Sequence, residues 1–329
     1  MKPILKKLLV GTAGTLALAA GALAIATAVR ADRHFEAPTP DIHASQDPTV
    51  IERGRYLVRG AAHCADCHGA PDQRAALEAG QDVALSGGFQ FVLPFGVVRV
   101  PNITPDVETG TGRFTDGELA RILRHGVRPD GRMVLPFMPF ADLSTADLTA
   151  VISYLRTQAP VRHVVAPHDF NALGKVVKAF VLEPKGPSAP IAAEAPRGPT
   201  VENGRYITHN VGNCVMCHTR VNLRTAQLDG PLFGGGMEHD AFGDPTKKFI
   251  PPNLTPNPRW GWIASWPEEV FVARMKLGKQ REGSPMPWHG IKRLSDDDLR
   301  AVYRYLRTVP PAEGGPDPSV TDAVVASRN

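Results

Sequence analysis

The longest apolar run is residues 8–29, 22 positions without a charge, preceded by Lys2, Lys6 and Lys7. That length predicts a helix able to cross a bilayer and exceeds the usual core of a signal peptide. The lysines would stay cytoplasmic, leaving the remainder on the other side. Cleavage after Ala31 is the alternative, since Val29 and Ala31 are small enough for a signal-peptidase site. Beyond this run the apolar positions come in short blocks at helical spacing. One block starts near Thr49 and carries Tyr56. Another follows Thr115, with Leu119, Ile122 and Leu123, and ends where Gly126 suits a helix C-terminus. A third opens on Ser144 with Asp147 three residues on, an N-cap pattern, and continues through Leu148, Ile152 and Leu155.

These blocks recur about 150 residues later. Glu52, Gly54, Arg55 and Tyr56 match Glu202, Gly204, Arg205 and Tyr206; Asn102, Thr104 and Pro105 match Asn253, Thr255 and Pro256. Phe114 aligns with Trp266, Gly126 with Gly278, and Tyr154-Leu155-Arg156-Thr157 with Tyr305-Leu306-Arg307-Thr308. The later helices begin at Pro267, with Val270, Phe271 and Met275, and at Ser295, with Leu299, Val302 and Leu306. A repeat at this period implies two homologous domains in tandem, 46–160 and 199–310. Residues 161–198 form a Pro-rich linker; within it Leu173, Val176, Val177 and Phe180 share a face, predicting a helix over 171–182 that packs between the domains. Residues 311–329, rich in Pro, Gly and acidic side chains, are expected to be a flexible tail.

Composition narrows the class. Hydrophobic residues make up 43% of the 329 but aromatics only 7%, and Gly and Pro number 31 each, which suits small helical domains with long loops. A net charge of +4 without basic–aromatic clustering points away from nucleic acid. The first domain carries eleven basic and thirteen acidic residues and the second fifteen and eleven, so they would offer partners different surfaces.

The chemistry lies in the cysteines. All four fall in two pentapeptides, Cys64-Ala65-Asp66-Cys67-His68 and Cys214-Val215-Met216-Cys217-His218. Cys-x-x-Cys-His is the attachment signal for c-type haem: the thiols add to the two vinyl groups and the imidazole lies under the iron. A four-Cys zinc site would leave both histidines without a reason, and a thioredoxin-like pair needs neither. Two covalently attached haems c are expected, on Cys64, Cys67, Cys214 and Cys217, with His68 and His218 as iron ligands. For the opposite ligand the repeat favours Met138 and Met286, each before a proline in the loop ahead of the last helix. A thioether there raises the potential and closes the iron. Met133 is the rival of Met138. His63, His125, His163, His168, His209, His239 and His289 do not recur at matching positions, which weighs against bis-His ligation. Carbonyls of Pro94, Pro101, Pro231 and Pro252 are candidate acceptors for the second imidazole N–H.

Together, the haem motifs, Asn102-Ile103-Thr104-Pro105-Asp106, Phe137-Met138-Pro139 and Pro285-Met286-Pro287 resemble the cytochrome c subunits of bacterial membrane-bound alcohol, gluconate and sorbitol dehydrogenases. The resemblance runs from about residue 46 to 310. It implies a mainly α fold of two tandem cytochrome c domains behind an N-terminal membrane helix. It also implies a non-catalytic role: accepting electrons from a periplasmic donor, a dehydrogenase subunit among the candidates, and passing them to quinone or an oxidase. Those subunits usually carry three haem motifs and this chain two, so a general di-haem carrier is the broader expectation. The site is expected on the periplasmic side of the bacterial inner membrane, or free in the periplasm after cleavage. The alternative is a di-haem peroxidase, which needs one iron with an open sixth position and acid–base groups beside it.

Overall fold

The computed structural model describes residues 3–138, 140–222, 227–241 and 244–315. Pro139 beside Met138, and residues 316–329 of the expected tail, lie outside the described residues. The chain is mainly helical. The first element, α1 (Pro3–Ala31), holds an apolar stretch, Gly11–Ala31, long enough to cross a membrane and almost wholly exposed. Then come α2 (Pro48–Arg59), α3 (Ala65–His68), α4 (Arg74–Glu78), the hairpin β1 (Gln90–Leu93) and β2 (Gly96–Arg99), α5 (Asp116–His125) and α6 (Thr145–Arg156). A short strand β3 (Asp169–Phe170) and α7 (Ala172–Phe180) lead to α8 (Val201–Tyr206), α9 (Cys214–His218), α10 (Glu268–Lys276), α11 (Trp288–Ile291) and α12 (Asp296–Thr308).

Local chemistry places these elements. Asp47, Thr115, Ser144, Thr200 and Ser295 each accept a backbone N–H of the first helical turn. Thr115 and Glu118 complete a reciprocal capping box on α5. That helix stops at Gly126, whose φ of 64° is the left-handed conformation glycine adopts without strain.

The two halves of the chain share one packing scheme. α2 crosses α6, and α8 crosses α12. Each crossing is made close by a glycine: a Cβ on Gly54 would collide with the Ala150 carbonyl, and one on Gly204 with that of Ala301. Around these crossings Val58, Leu148 and Ile152, and Val211, Leu299 and Leu306, are essentially inaccessible and belong to one continuous core. Each such side chain contributes about 1.5–3 kcal/mol on burial.

The halves also cap each other. The Tyr56 hydroxyl of α2 donates to Asp298 (2.6 Å) and accepts from Ser295 N (2.8 Å), at the start of α12. The Tyr206 hydroxyl of α8 donates to Asp147 (3.0 Å) and accepts from Ser144 N (3.1 Å), at the start of α6. Asp147, fully buried, is also gripped by Arg53 at 2.8 and 2.9 Å and by Arg197 at 3.1 Å.

Two features depart from the expectations. A three-stranded antiparallel sheet lies in the first half, with Gln90 opposite Arg99, Leu93 opposite Gly96, and Gly96 opposite Phe170. And α7 does not pack between the halves. Its neighbours are β3 and α1, because the buried positions are Gly174 and Ala179, off the predicted apolar face. The Pro-rich linker is tied to the first half as well: the Ala192 and Ala193 carbonyls accept the first N–H groups of α6, from Thr145 and Ala146.

Candidate haem-attachment sites

Each Cys-x-x-Cys-His pentapeptide forms a one-turn helix, α3 after Cys64 and α9 from Cys214. The residue ahead of it, His63 or Asn213, has a left-handed backbone with φ of 37° and 49°. Asparagine tolerates that conformation, which gives the pair a backbone reason for aligning. Before each turn the helical hydrogen bonds widen: Ala62 N bonds Leu57 O, and Gly212 N bonds Ile207 O.

The imidazoles are held alike. His68 Nδ1 lies 2.9 Å from Pro101 O, and His218 Nδ1 lies 3.0 Å from Pro252 O. A carbonyl only accepts, so Nδ1 carries the proton and Nε2 presents its lone pair, the state an iron ligand needs. Of the four prolines considered, the structure selects Pro101 and Pro252. Burial lowers the pKa of both imidazoles, against the opposing pull of these hydrogen bonds, and so favours the neutral ring. Burial also pushes the Cys64 and Cys214 thiols up to about 12 and Cys67 to about 11, keeping them protonated.

The proline carbonyls are aimed by the Asn-x-Thr motif. Asn102 Oδ1 accepts from Thr104 N (2.9 Å) and Oγ1 (2.7 Å); Asn253 accepts from Thr255 N and Oγ1 at the same distances. The two amide NH2 groups then hold the strand leaving the last helix, through Val161 O in one half and Ala312 O and Gly314 O in the other. Gly87 N and Gly235 N accordingly reach the His68 and His218 carbonyls. A Cβ on Gly236 would collide with the Cys217 carbonyl, so backbone alone lines that approach.

Met138 and Met286 are half-buried in corresponding loops, between α5 and α6 and between α10 and α11. Met133 differs: its backbone bridges Val127 after α5. Several spare histidines have protein partners. His163 faces Ser86 O (2.8 Å), His168 accepts from Arg99 N (3.1 Å), and His209 meets Tyr305 OH (2.7 Å). His63 and His289 both approach Asp66, at 3.6 and 3.4 Å, and Arg74 reaches the same carboxylate at 3.1 Å. Sequence reasoning missed Asp66 as a joint between the first haem motif and the second half.

The residues fit covalent haem. Two thiols one turn apart precede a buried imidazole with a fixed tautomer. In the second half the Trp262 indole N–H is buried with no acceptor among the described residues, a donor suited to a polar edge of the group. The attachment segments are neighbours, for a Cβ on Gly212 would stand 3.5 Å from Ala61 O.

The cytochrome c family matches residues 51–159. A fructose dehydrogenase cytochrome subunit of Gluconobacter japonicus is 30% identical over 297 residues, 84% of this chain and 56% of that protein. The cytochrome c subunit of an alcohol dehydrogenase (quinone) of Gluconobacter oxydans is 31% identical over 289 residues, 82% of this chain and 56% of its own length. The chain thus spans about half the length of these dehydrogenase relatives. A diheme cytochrome c-type protein of Cereibacter sphaeroides is 30% identical over 262 residues, covering 77% of this chain and 84% of that one. With its Cys-x-x-Cys-His turns, proline-oriented imidazoles and helical fold, this chain belongs to the cytochrome c family of haem-bearing electron-transfer proteins.

Proposed function

We propose that the chain is a di-haem electron carrier of two tandem cytochrome c domains, residues 46–160 and 199–310, joined by the linker 161–198. Haem c supplies one-electron chemistry, its iron alternating between ferric and ferrous. The first haem would be held by Cys64 and Cys67 with His68 as ligand, the second by Cys214 and Cys217 with His218. Met138 and Met286 would supply the second iron ligands, leaving both irons closed to other molecules. The observation that carries this reading is the duplicated scaffold: two histidines oriented alike by proline carbonyls, with the adjoining segments in apposition at Ala61 and Gly212. Apposed sites favour a hop between the haems, since electron transfer weakens steeply with distance.

Two of the relatives are cytochrome subunits of dehydrogenases, which supports a dehydrogenase as donor on the periplasmic side and a respiratory acceptor, quinone or an oxidase, beyond it. They lend no support to the peroxidase alternative. An uncleaved α1 as membrane anchor is supported by the side chains that follow its apolar stretch. Arg30 Nε donates to Ala179 O (3.3 Å) and Arg33 to Leu182 O (2.5 Å), so the end of α1 is built into the folded body.

The test is the mass of the purified protein with its visible spectrum. Two added haem masses, the Met–iron charge-transfer band in the oxidised form and no peroxide turnover are expected. One haem mass, or rapid peroxide consumption with the band missing, would overturn the proposal.

A further inference from the structure

The linker helix α7 leaves exposed the face that its sequence makes apolar. Leu173 is 56% exposed, Phe180 41% and the following Val181 57%, with Val176 and Val177 only half-buried. The opposite side is fastened by small residues. Gly174 allows the Phe95 carbonyl an approach that a Cβ would block, and Ala179 is fully buried. Asn171 caps the helix through Gly174 N (3.0 Å) and also ties it to Pro94 O (2.9 Å) at the β1–β2 turn.

The other end of α7 is bound to α1 where its apolar stretch stops. Arg30 reaches the Ala179 carbonyl and its guanidinium lies 5.2 Å from the Phe180 ring centroid. Arg33 reaches Leu182 O and pairs with Glu183 at 3.6 Å, and Lys178 pairs with Asp32 at 3.4 Å. Charged residues at the end of a spanning helix mark the depth of the lipid headgroups. Phe180 and Val181 are therefore held at that depth. Lys175 and Lys185 are exposed on either side of this patch, suited to lipid phosphates.

We propose that α7 is an interfacial helix, its Leu173, Phe180 and Val181 side chains seated in the headgroup layer of the leaflet from which α1 emerges. The occupant of the exposed face is lipid, because the face is continuous with a membrane-spanning element. Two attachments, one spanning and one lying flat, fix the orientation of the body on the membrane; a single helix would leave it free to pivot. This inference rests on reading α1 as a membrane span.

The test uses the full chain with both haems, reconstituted in vesicles of phosphatidylethanolamine and phosphatidylglycerol. Phe180→Cys, Val181→Cys and Leu173→Cys are spin-labelled singly, the native cysteines being consumed by haem. Power saturation compares collision with oxygen, which concentrates in lipid, and with a water-soluble nickel chelate, after reduction of the haems. All three sites are exposed, so an unchanged haem spectrum verifies folding. The oxygen-to-nickel ratio is expected to be several-fold higher at Phe180→Cys and Val181→Cys than at Val107→Cys, an exposed site elsewhere. A Phe180→Cys ratio equal to that of Val107→Cys overturns the proposal, and shielding from both reagents overturns it in favour of a protein partner. Leu16→Cys on α1 is the separate control. If it is lipid-exposed while position 180 is not, only the interfacial helix fails; if it is not, the anchor reading fails.

Discussion

Asn102 and Asn253 do more for the two sites than their distance from the cysteines suggests. Each closes a turn on a threonine and pins the strand beyond the last helix, which aims a proline carbonyl at an imidazole. Asn102→Ala should lower stability by about 2 kcal/mol, as buried acceptors lose their donors. It should also shift the potential of one haem only; redox titration beside urea unfolding checks both. On the proposed ligation, Met286→Ala should remove about half of the Met–iron charge-transfer absorbance and lower one potential, because the iron would lose a soft donor that favours the ferrous state. The two Cys-x-x-Cys-His pentapeptides were legible in the sequence because their spacing is itself the attachment signal; Met138 and Met286 rest on the repeat and belong to the proposal. The left-handed turn shared by His63 and Asn213 was not legible, because the two residues differ in kind and only their backbones agree. His63 and His289 were seen as spare histidines, since nothing in the order of residues shows that both approach Asp66. Titration has a signature at this scale too. Burial pushes the His209 imidazole down to about 4, whereas the unfolded chain titrates near 6.5. The unfolded state binds the extra proton between these values, so the contribution is complete above about pH 6.5 and is lost as pH falls toward 4. Burial pushes the Asp147 carboxyl up, but hydrogen bonding to Arg53 and the charges of Arg53 and Arg197 outweigh it and hold its pKa below the usual range. Its contribution is present above about pH 4 and is lost as pH falls through the depressed folded value. Urea midpoints measured against pH should fall below pH 6.5, and less steeply in His209→Gln.

Among the elements, the crossings of α2 with α6 and of α8 with α12 depend on glycines that admit a backbone carbonyl. Gly54→Ala and Gly204→Ala should each cost about 1–3 kcal/mol through overpacking, read as a drop in the unfolding midpoint with the haem bands retained. The helices around these crossings were legible because serine and threonine caps and helical spacing are local signals. The β1–β2 hairpin was not. Its strands are four residues long, its tight turn places Leu93 opposite Gly96, and its third strand arrives from beyond Arg156. The helix α7 was legible as a helix, but its partner was not. The apolar face suggested burial between domains, while the contacts run through Gly174 and Ala179, two residues too small to carry a hydrophobic signal.

At the level of the whole molecule, the halves are joined by reciprocal hydrogen bonds, with Tyr56 on α12 and Tyr206 on α6. Tyrosine at a helical position reads as core, so this exchange was hidden until both halves were seen together. Tyr206→Phe should cost about 1–3 kcal/mol, since it removes a hydrogen bond to a buried carboxylate and leaves Ser144 N without its partner. Calorimetry of the intact protein should show one transition, not two, because the capping of each half's last helix is completed by the other half. The same exchange bears on speed. A carrier whose redox centres sit on independently moving bodies must wait for a favourable approach, and its throughput follows solvent viscosity. In the proposed di-haem carrier the separation would be set by the joint that Tyr56 makes with Asp298 and Ser295 and Tyr206 makes with Asp147 and Ser144, so internal transfer should proceed at a viscosity-independent rate and leave docking of the donor or acceptor as the slow step.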